Sequence, residues 1–237
     1  NKSNSDIVHL HWSCKGMLSI KDIENIKAPV VLTMHDSWAF TGGCHIPFEC
    51  KKYTETCGSC PELASDNKND LSYKSIIRKT NLYNTKTDIV LVAVSKWLQD
   101  CARSSKLLKA KNIYCIPNAL DTSQFKPIDK KSAKSCLGFK FKKKLILFGA
   151  LSATTDKNKG FRELYTALNY LSSSEWEICI FGSERPKEEK VLNFKTHYFG
   201  HIDNDEFLIK LYSAADVMVV PSKMESFGQT ASEALSC

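Results

Sequence analysis

The chain has 237 residues, of which 43% are hydrophobic and 25% charged, the balance of a folded protein and not of a disordered one. Lys and Arg number 33 against 26 Asp and Glu, a net charge of +7 that suits nucleotide phosphates, lipid diphosphates or an anionic membrane surface without choosing among them. No apolar stretch approaches the roughly 20 residues of a membrane-spanning helix, and the basic residues are dispersed, with no aromatic–basic stacking motif for nucleic acid.

In chain order, short apolar, β-branched runs alternate with amphipathic stretches. Ile7–Leu10 predicts a first strand, followed by a helical stripe of Leu18, Ile20, Ile23 and Ile26 with a start at Asp22. Val30–Met34, Ile89–Val94 and Ile113–Ile116 predict further strands, and Ser95 opens a helix after the third of the chain. Later, Leu145–Phe148, Glu177–Phe181, His197–Phe199 and Val217–Val220 predict strands again. Between them Leu164, Leu168 and Leu171 share one helical stripe, and Phe207, Leu208, Leu211 and Tyr212 another. Several strands are apolar at consecutive positions, as expected of parallel strands covered on both faces. Strand and helix in alternation imply βα units and doubly wound parallel sheets.

A division falls between Ala119 and Lys144, where Pro117-Asn118 ends a strand and a basic stretch runs to Lys142-Lys143-Lys144. Setting it after residue 126 gives two α/β domains, 1–126 and 127–237, facing across a cleft. Ligands of such sheets bind outside the carboxyl ends of strands, so residues just after strands carry the functional weight. The start lacks a signal peptide and a Met, and Ala231–Cys237 looks like a helix cut in mid-course, so both ends read as truncations. Ten cysteines without a secretory framework read as a reducing, cytoplasmic setting, at the inner face of a membrane if the basic charge is used there. The six outside one cluster read as small core residues.

After the strand at Val217–Val220 comes Pro221-Ser222-Lys223-Met224-Glu225-Ser226-Phe227-Gly228, then a helix that starts near Gly228 and carries Glu233. A helix N-terminus is a ready anion site, and Gly228 lets a ligand approach its backbone. Glu225 before the helix and Glu233 within it can each accept bonds from hydroxyls. Two carboxylates flanking a phosphate site suit a sugar nucleotide. Taken alone, the pair also fits a solvated loop acid and a surface helix acid.

The segment Ala214 to Ser222, with Glu225-Ser226-Phe227-Gly228 and Glu233-Ala234-Leu235, resembles the donor-site signature of retaining GT-B glycosyltransferases of family 4. The seven residues between Glu225 and Glu233 match its spacing. The resemblance implies that Glu225 contacts the donor sugar, Glu233 the ribose, and the stretch Ser226, Phe227 and Gly228 the sugar or diphosphate. Leu145 through Gly149, then Lys159-Gly160 and Leu164 through Leu168, resemble the first βα unit of the family's donor domain. It implies that Gly149 lies at the donor and that Lys159 holds the diphosphate as a point charge. Ala150 stands where that pattern has arginine, so one cationic contact is missing or comes from Lys157.

Asp6-Ile7-Val8-His9-Leu10-His11 and Val31-Leu32-Thr33-Met34-His35-Asp36 each put a histidine at a strand end. The family places one beside the donor sugar after the second of these strands, which implies a catalytic role for His35. His9 reads as a core histidine bonded to backbone, and His11 as either core or acceptor-side. Cys44, Cys50, Cys57 and Cys60 crowd an insert at about 41–63, which resembles one in bacterial cell-surface polysaccharide transferases of the family. Its closing Cys-x-x-Cys suits one knuckle of a structural zinc site that the two earlier thiolates would complete, with His45 as a substitute ligand. Four reduced thiols, or two disulfides, are the alternatives.

The expectation is a glycosyltransferase of GT-B fold, both domains incomplete, that takes a nucleoside-diphosphate sugar and a glycan or lipid-linked sugar acceptor. It needs no catalytic cofactor, contacts membrane only peripherally, binds no nucleic acid, and is inactive as this piece alone. The rival readings are a sugar-nucleotide epimerase of the same fold and a non-catalytic nucleotide-binding or interaction module.

Overall fold

The structure, a computed structural model, describes residues 5–185 and 193–237. The chain forms two compact units, Asn1–Asn118 and Ala119–Cys237, each built on its own four-stranded sheet. Every strand pairing in both sheets is parallel.

In the first unit the strands β1 (Val8–His11), β2 (Val30–Met34), β3 (Ile89–Ala93) and β4 (Ile113–Cys115) lie side by side in chain order. The helices α1 (Ile20–Glu24), α2 (Leu71–Thr85) and α3 (Lys96–Ser104) connect them. The start of α1 differs from the expectation. Ser19 is its N-cap: the Ser19 side chain accepts the Asp22 N–H at 3.1 Å while Asp22 accepts the Ser19 N–H at 2.7 Å. Asp22 is thus the third residue of a capping box and not the start. Ser95 does cap α3, accepting the Leu98 N–H at 3.1 Å.

The longest helix, α2, is not read from the sequence at all. It is capped by Asp70, which accepts bonds from the Tyr73 N–H, the Cys60 N–H and the Ser72 hydroxyl. These bonds, the Ser72 hydroxyl foremost, hold the Asp70 carboxyl down to about 2.

In the second unit the order is β7-β6-β5-β8, with β5 (Lys144–Gly149), β6 (Trp176–Phe181), β7 (Thr196–Tyr198) and β8 (Val217–Met218). The helices are α4 (Lys130–Cys136), α5 (Phe161–Leu168), α6 (Asp205–Ala214) and α7 (Gln229–Ser236). The strand β5 shows why its sequence is apolar without alternation. Leu145 and Leu147 pack with Ala133, Leu211 and Tyr212 on one face, while Ile146 and Phe148 pack with Leu164 and Leu168 on the other. Asp216, just before β8, accepts the Leu145 N–H and an ion pair from buried Lys134 at 2.9 Å. Among the described residues no helix is long and apolar enough to cross a membrane.

Candidate functional site

In the second unit the loop after β5 is fastened to the loop after β8. Asn158, buried at 2% exposure, donates to the Met224 carbonyl at 2.8 Å and accepts the Met224 N–H at 3.1 Å. Its own carbonyl accepts the Lys223 N–H at 2.8 Å. Gly160 follows with a φ of 71°, and a Cβ there would overlap the Pro221 carbonyl oxygen. Only glycine satisfies both the left-handed backbone and the close approach. Between these two fixed points Lys159 donates to Glu225 Oε1 at 2.7 Å, with side chains 20% and 32% exposed. The structure therefore brings Lys159 and Glu225 together, and neither is a freely solvated charge. Asn158 is a residue the sequence reading missed.

Gly228, at φ 82°, is the N-cap of α7 and turns the chain from the β8 loop into the helix. Ser226 and Phe227 precede it, half-buried. Glu233, one face along α7, accepts the Tyr212 hydroxyl at 2.8 Å. Burial, then the bond to Glu233, pushes the Tyr212 hydroxyl well above its usual range. Gly149 ends β5 with the Phe181 ring against it, where a side chain would collide. Lys157 is exposed and lines an open cavity of about 690 Å3 with Arg162 and Lys223.

In the first unit His11 Nδ1 and His35 Nε2 lie 2.8 Å apart at the carboxyl ends of β1 and β2. One ring must donate and the other accept, so the pair shares a proton. Burial foremost, then the charge His11 would carry, lowers the His35 pKa below its usual 6.5. His9 is not the core residue expected. It is exposed on the edge strand and bonds the Thr33 hydroxyl at 2.8 Å, not backbone.

All ten cysteines are free. Of the six outside the cluster only Cys179 is fully buried, while Cys115 and Cys136 are exposed, which corrects the view of them as core residues. Cys44, Cys50, Cys57 and Cys60 are near one another, but no three His, Cys, Asp or Glu among the described residues are arranged to hold a metal ion. Cys57 Sγ instead accepts the Gly42 N–H at 3.2 Å. Burial and the neighbouring thiols push Cys44 up to about 11, a neutral thiol at neutral pH.

Residues 130–237 match the family described as glycosyl transferases group 1, a stretch that holds Lys159, Glu225 and Glu233. Over 254 aligned positions the chain is 25% identical to mannosylfructose-phosphate synthase of Agrobacterium fabrum, covering 100% of this chain and 52% of that protein. It resembles the structure of sucrose-phosphate synthase from Thermosynechococcus elongatus with a TM-score of 0.68 at 18% identity, over 100% of this chain and 55% of that one. It also resembles Anabaena HepE in complex with UDP and glucose, at TM-score 0.61 and 17% identity, over 98% of this chain and 57% of that one. The chain thus spans about half the length of the relatives it matches. It has the two-sheet α/β fold of the GT-B type, and the match to the glycosyl transferases group 1 family lies in its second unit.

Proposed function

We propose that the protein is a retaining family 4 glycosyltransferase that moves a sugar from a nucleoside-diphosphate sugar to an acceptor hydroxyl in cell-surface polysaccharide synthesis. The observation that carries this reading is the Lys159–Glu225 pair, held at 2.7 Å by loops that Asn158 fastens together. The matched family and the UDP and glucose held by HepE support a nucleotide-sugar donor. A glycan or lipid-linked acceptor at the cytoplasmic face of a membrane fits the net charge of +7.

On donor binding, Lys159 exchanges Glu225 for the diphosphate, and the amides at the start of α7 face the same negative charge. Glu225 then accepts hydroxyls of the donor sugar, and Glu233 those of the ribose. As the bond from the anomeric carbon breaks, its electron pair leaves with the diphosphate, where Lys159 and the amides stabilise it. The acceptor oxygen bonds to that carbon from the face of departure and gives its proton to the leaving diphosphate. His35, held neutral, orients the reacting hydroxyls.

The test is proton NMR of the full-length protein turning over UDP-, GDP-, ADP- and dTDP-sugars with glycan acceptors. Release of the diphosphate with a new glycosidic signal of the donor's own anomeric configuration is expected. An altered free sugar without transfer favours an epimerase, and no turnover of any donor contradicts the proposal.

A further inference from the structure

Residues that follow β1 and β2 hold a constellation the donor chemistry does not use. Trp12, directly after β1, has a φ of 44°, and Lys15 one of 54°. A left-handed backbone costs a residue with a Cβ roughly 1–2 kcal/mol and persists where the surroundings impose it. Asp36 ties the side chain of Trp12 to its neighbours. Its Oδ1 accepts the Trp38 N–H at 2.8 Å, and its Oδ2 accepts both the Trp12 indole N–H and His45 Nδ1 at 2.7 Å. The indole and imidazole centroids are 5.8 Å apart with the rings tilted by 48°.

The indole is pinned by its backbone and its polar edge, yet Trp12 remains 38% exposed. An aromatic ring held rigidly with area left to solvent contributes less to folding than a buried one and is suited to contact with a ligand. The bond to Asp36 makes His45 Nδ1 the donor and leaves Nε2 available. His45 also lines a cavity of about 380 Å3, whose wall includes Gly43, Ile46, Glu62 and Ser72. That volume is within the range of small-molecule pockets. Lys15 Nζ stands 5.6 Å from the indole centroid, a long contact made by an exposed side chain that a ligand can displace.

We propose that Trp12, His45 and Asp36 form a saccharide subsite on the first unit, with the indole face stacking on a neutral pyranose ring. His45 Nε2 bonds a ring hydroxyl, Asp36 holds both aromatic rings in place, and the cavity beside His45 takes the next substituent. A pyranose presents an apolar C–H face and a rim of hydroxyls, which matches an aromatic plane beside polar atoms. A lipid chain leaves His45 unanswered, and an anion meets the carboxylates of Asp36 and Glu62. The inference rests on the transferase reading and makes this the place of the acceptor sugar.

Saturation-transfer NMR on the full-length protein, with methyl glucopyranoside, galactopyranoside and mannopyranoside as probes, tests it, with UDP, GDP, ADP and dTDP binding measured in parallel. Saturation of at least one glycoside's ring protons is expected, with affinity about tenfold weaker in Trp12→Ala and partly kept in Trp12→Phe. His45→Ala, which leaves the Trp12 backbone intact, is expected to weaken it several-fold, with nucleotide affinity unchanged in every variant. Glycoside contact unaltered by Trp12→Ala and His45→Ala, or absent from the wild type while a nucleotide binds, overturns the subsite and leaves the donor reading standing. Failure of all four nucleotides to bind overturns the donor reading, and with it the acceptor role of this subsite.

Discussion

Lys159 Nζ and Glu225 Oε1 lie 2.7 Å apart, so the cation and carboxylate proposed to meet a donor hold each other. A diphosphate that draws Lys159 away frees Glu225 for sugar hydroxyls in the same exchange. The pair is mostly shielded, with side chains 20% and 32% exposed, so neither partner is left solvated by default. In the proposed function this one contact would couple binding of the phosphate end of a donor to binding of its sugar end.

Removing the cation tests that coupling. Lys159→Ala is expected to lower kcat by about 100- to 1,000-fold, the scale of losing one group that stabilises developing charge. Lys159→Arg keeps the charge but not the point geometry and is expected to recover only part of it. Initial rates at saturating donor measure both, and a Lys159→Ala enzyme of wild-type kcat contradicts the role.

Tyr212 orients Glu233 through its 2.8 Å hydroxyl bond, while its ring packs edge-on against Phe181 at 6.0 Å. Tyr212→Phe keeps the ring and removes the bond. Nucleotide affinity is expected to fall a few-fold in Tyr212→Phe and roughly ten- to a hundredfold in Glu233→Ala, the scale of bonds to a charged group. Calorimetric titration with the nucleotide distinguishes them, and equal affinity in wild type and Glu233→Ala contradicts the ribose assignment.

Gly160→Ala places a Cβ on the Pro221 carbonyl at a φ of 71°. Loss of stability by roughly 1–3 kcal/mol is expected, from backbone strain and from prying the two loops apart. Because Lys159 is the neighbouring residue, donor affinity should fall with it. Thermal unfolding and nucleotide titration of the same variant check both, and an unchanged melting temperature contradicts the packing argument.

The strands of both units were legible, for a physical reason. A strand such as β5, buried on both faces by Leu145 and Leu147 against one cluster and Ile146 and Phe148 against another, declares itself as an apolar run. Helix α2 does not, because its buried face includes Ser72 and Lys79 beside Ile76, Leu82 and Tyr83. The motif residues Lys159, Glu225 and Glu233 were readable by resemblance. Asn158 was not, because its role consists of bonds to Lys223 and Met224, far along the chain.

His35 gives the first unit a pH dependence. Its folded pKa lies below the usual 6.5, with burial as the main cause. The unfolded chain therefore binds this proton more readily. The resulting stability is fully present above about 6.5 and is lost as pH falls through the lower folded value. An NMR titration of the His35 ring is expected to give a midpoint below 6.5, and acid destabilisation should be smaller in His35→Gln. A midpoint at or above 6.5 contradicts the shielding of this ring.

Lys79 is fully buried and donates to the carbonyls of Trp38 and Thr41, with Nζ 4.0 Å from the Trp38 ring centroid. Burial pushes it down to about 7, against the opposing pull of Cys14, Cys57 and Asp36. Lys79→Met leaves two carbonyls without their donor and is expected to cost about 1–3 kcal/mol at neutral pH. Between about 7 and 10.5 the unfolded chain holds this proton and the folded one does not, so the contribution of Lys79 rises with pH. The stability gap between wild type and variant should widen from pH 7 to pH 9 in chemical denaturation. A gap that narrows contradicts the shift.

The donor assignment is tested most directly by thermal unfolding of the full-length protein with UDP-, GDP-, ADP- and dTDP-sugars, wild type beside Glu233→Ala. Stabilisation by the sugars of one nucleotide is expected, reaching about 2.7 kcal/mol at a hundredfold excess over Kd, and a clear reduction of it in the variant. No stabilisation by any of them, or the same stabilisation in Glu233→Ala, contradicts the account.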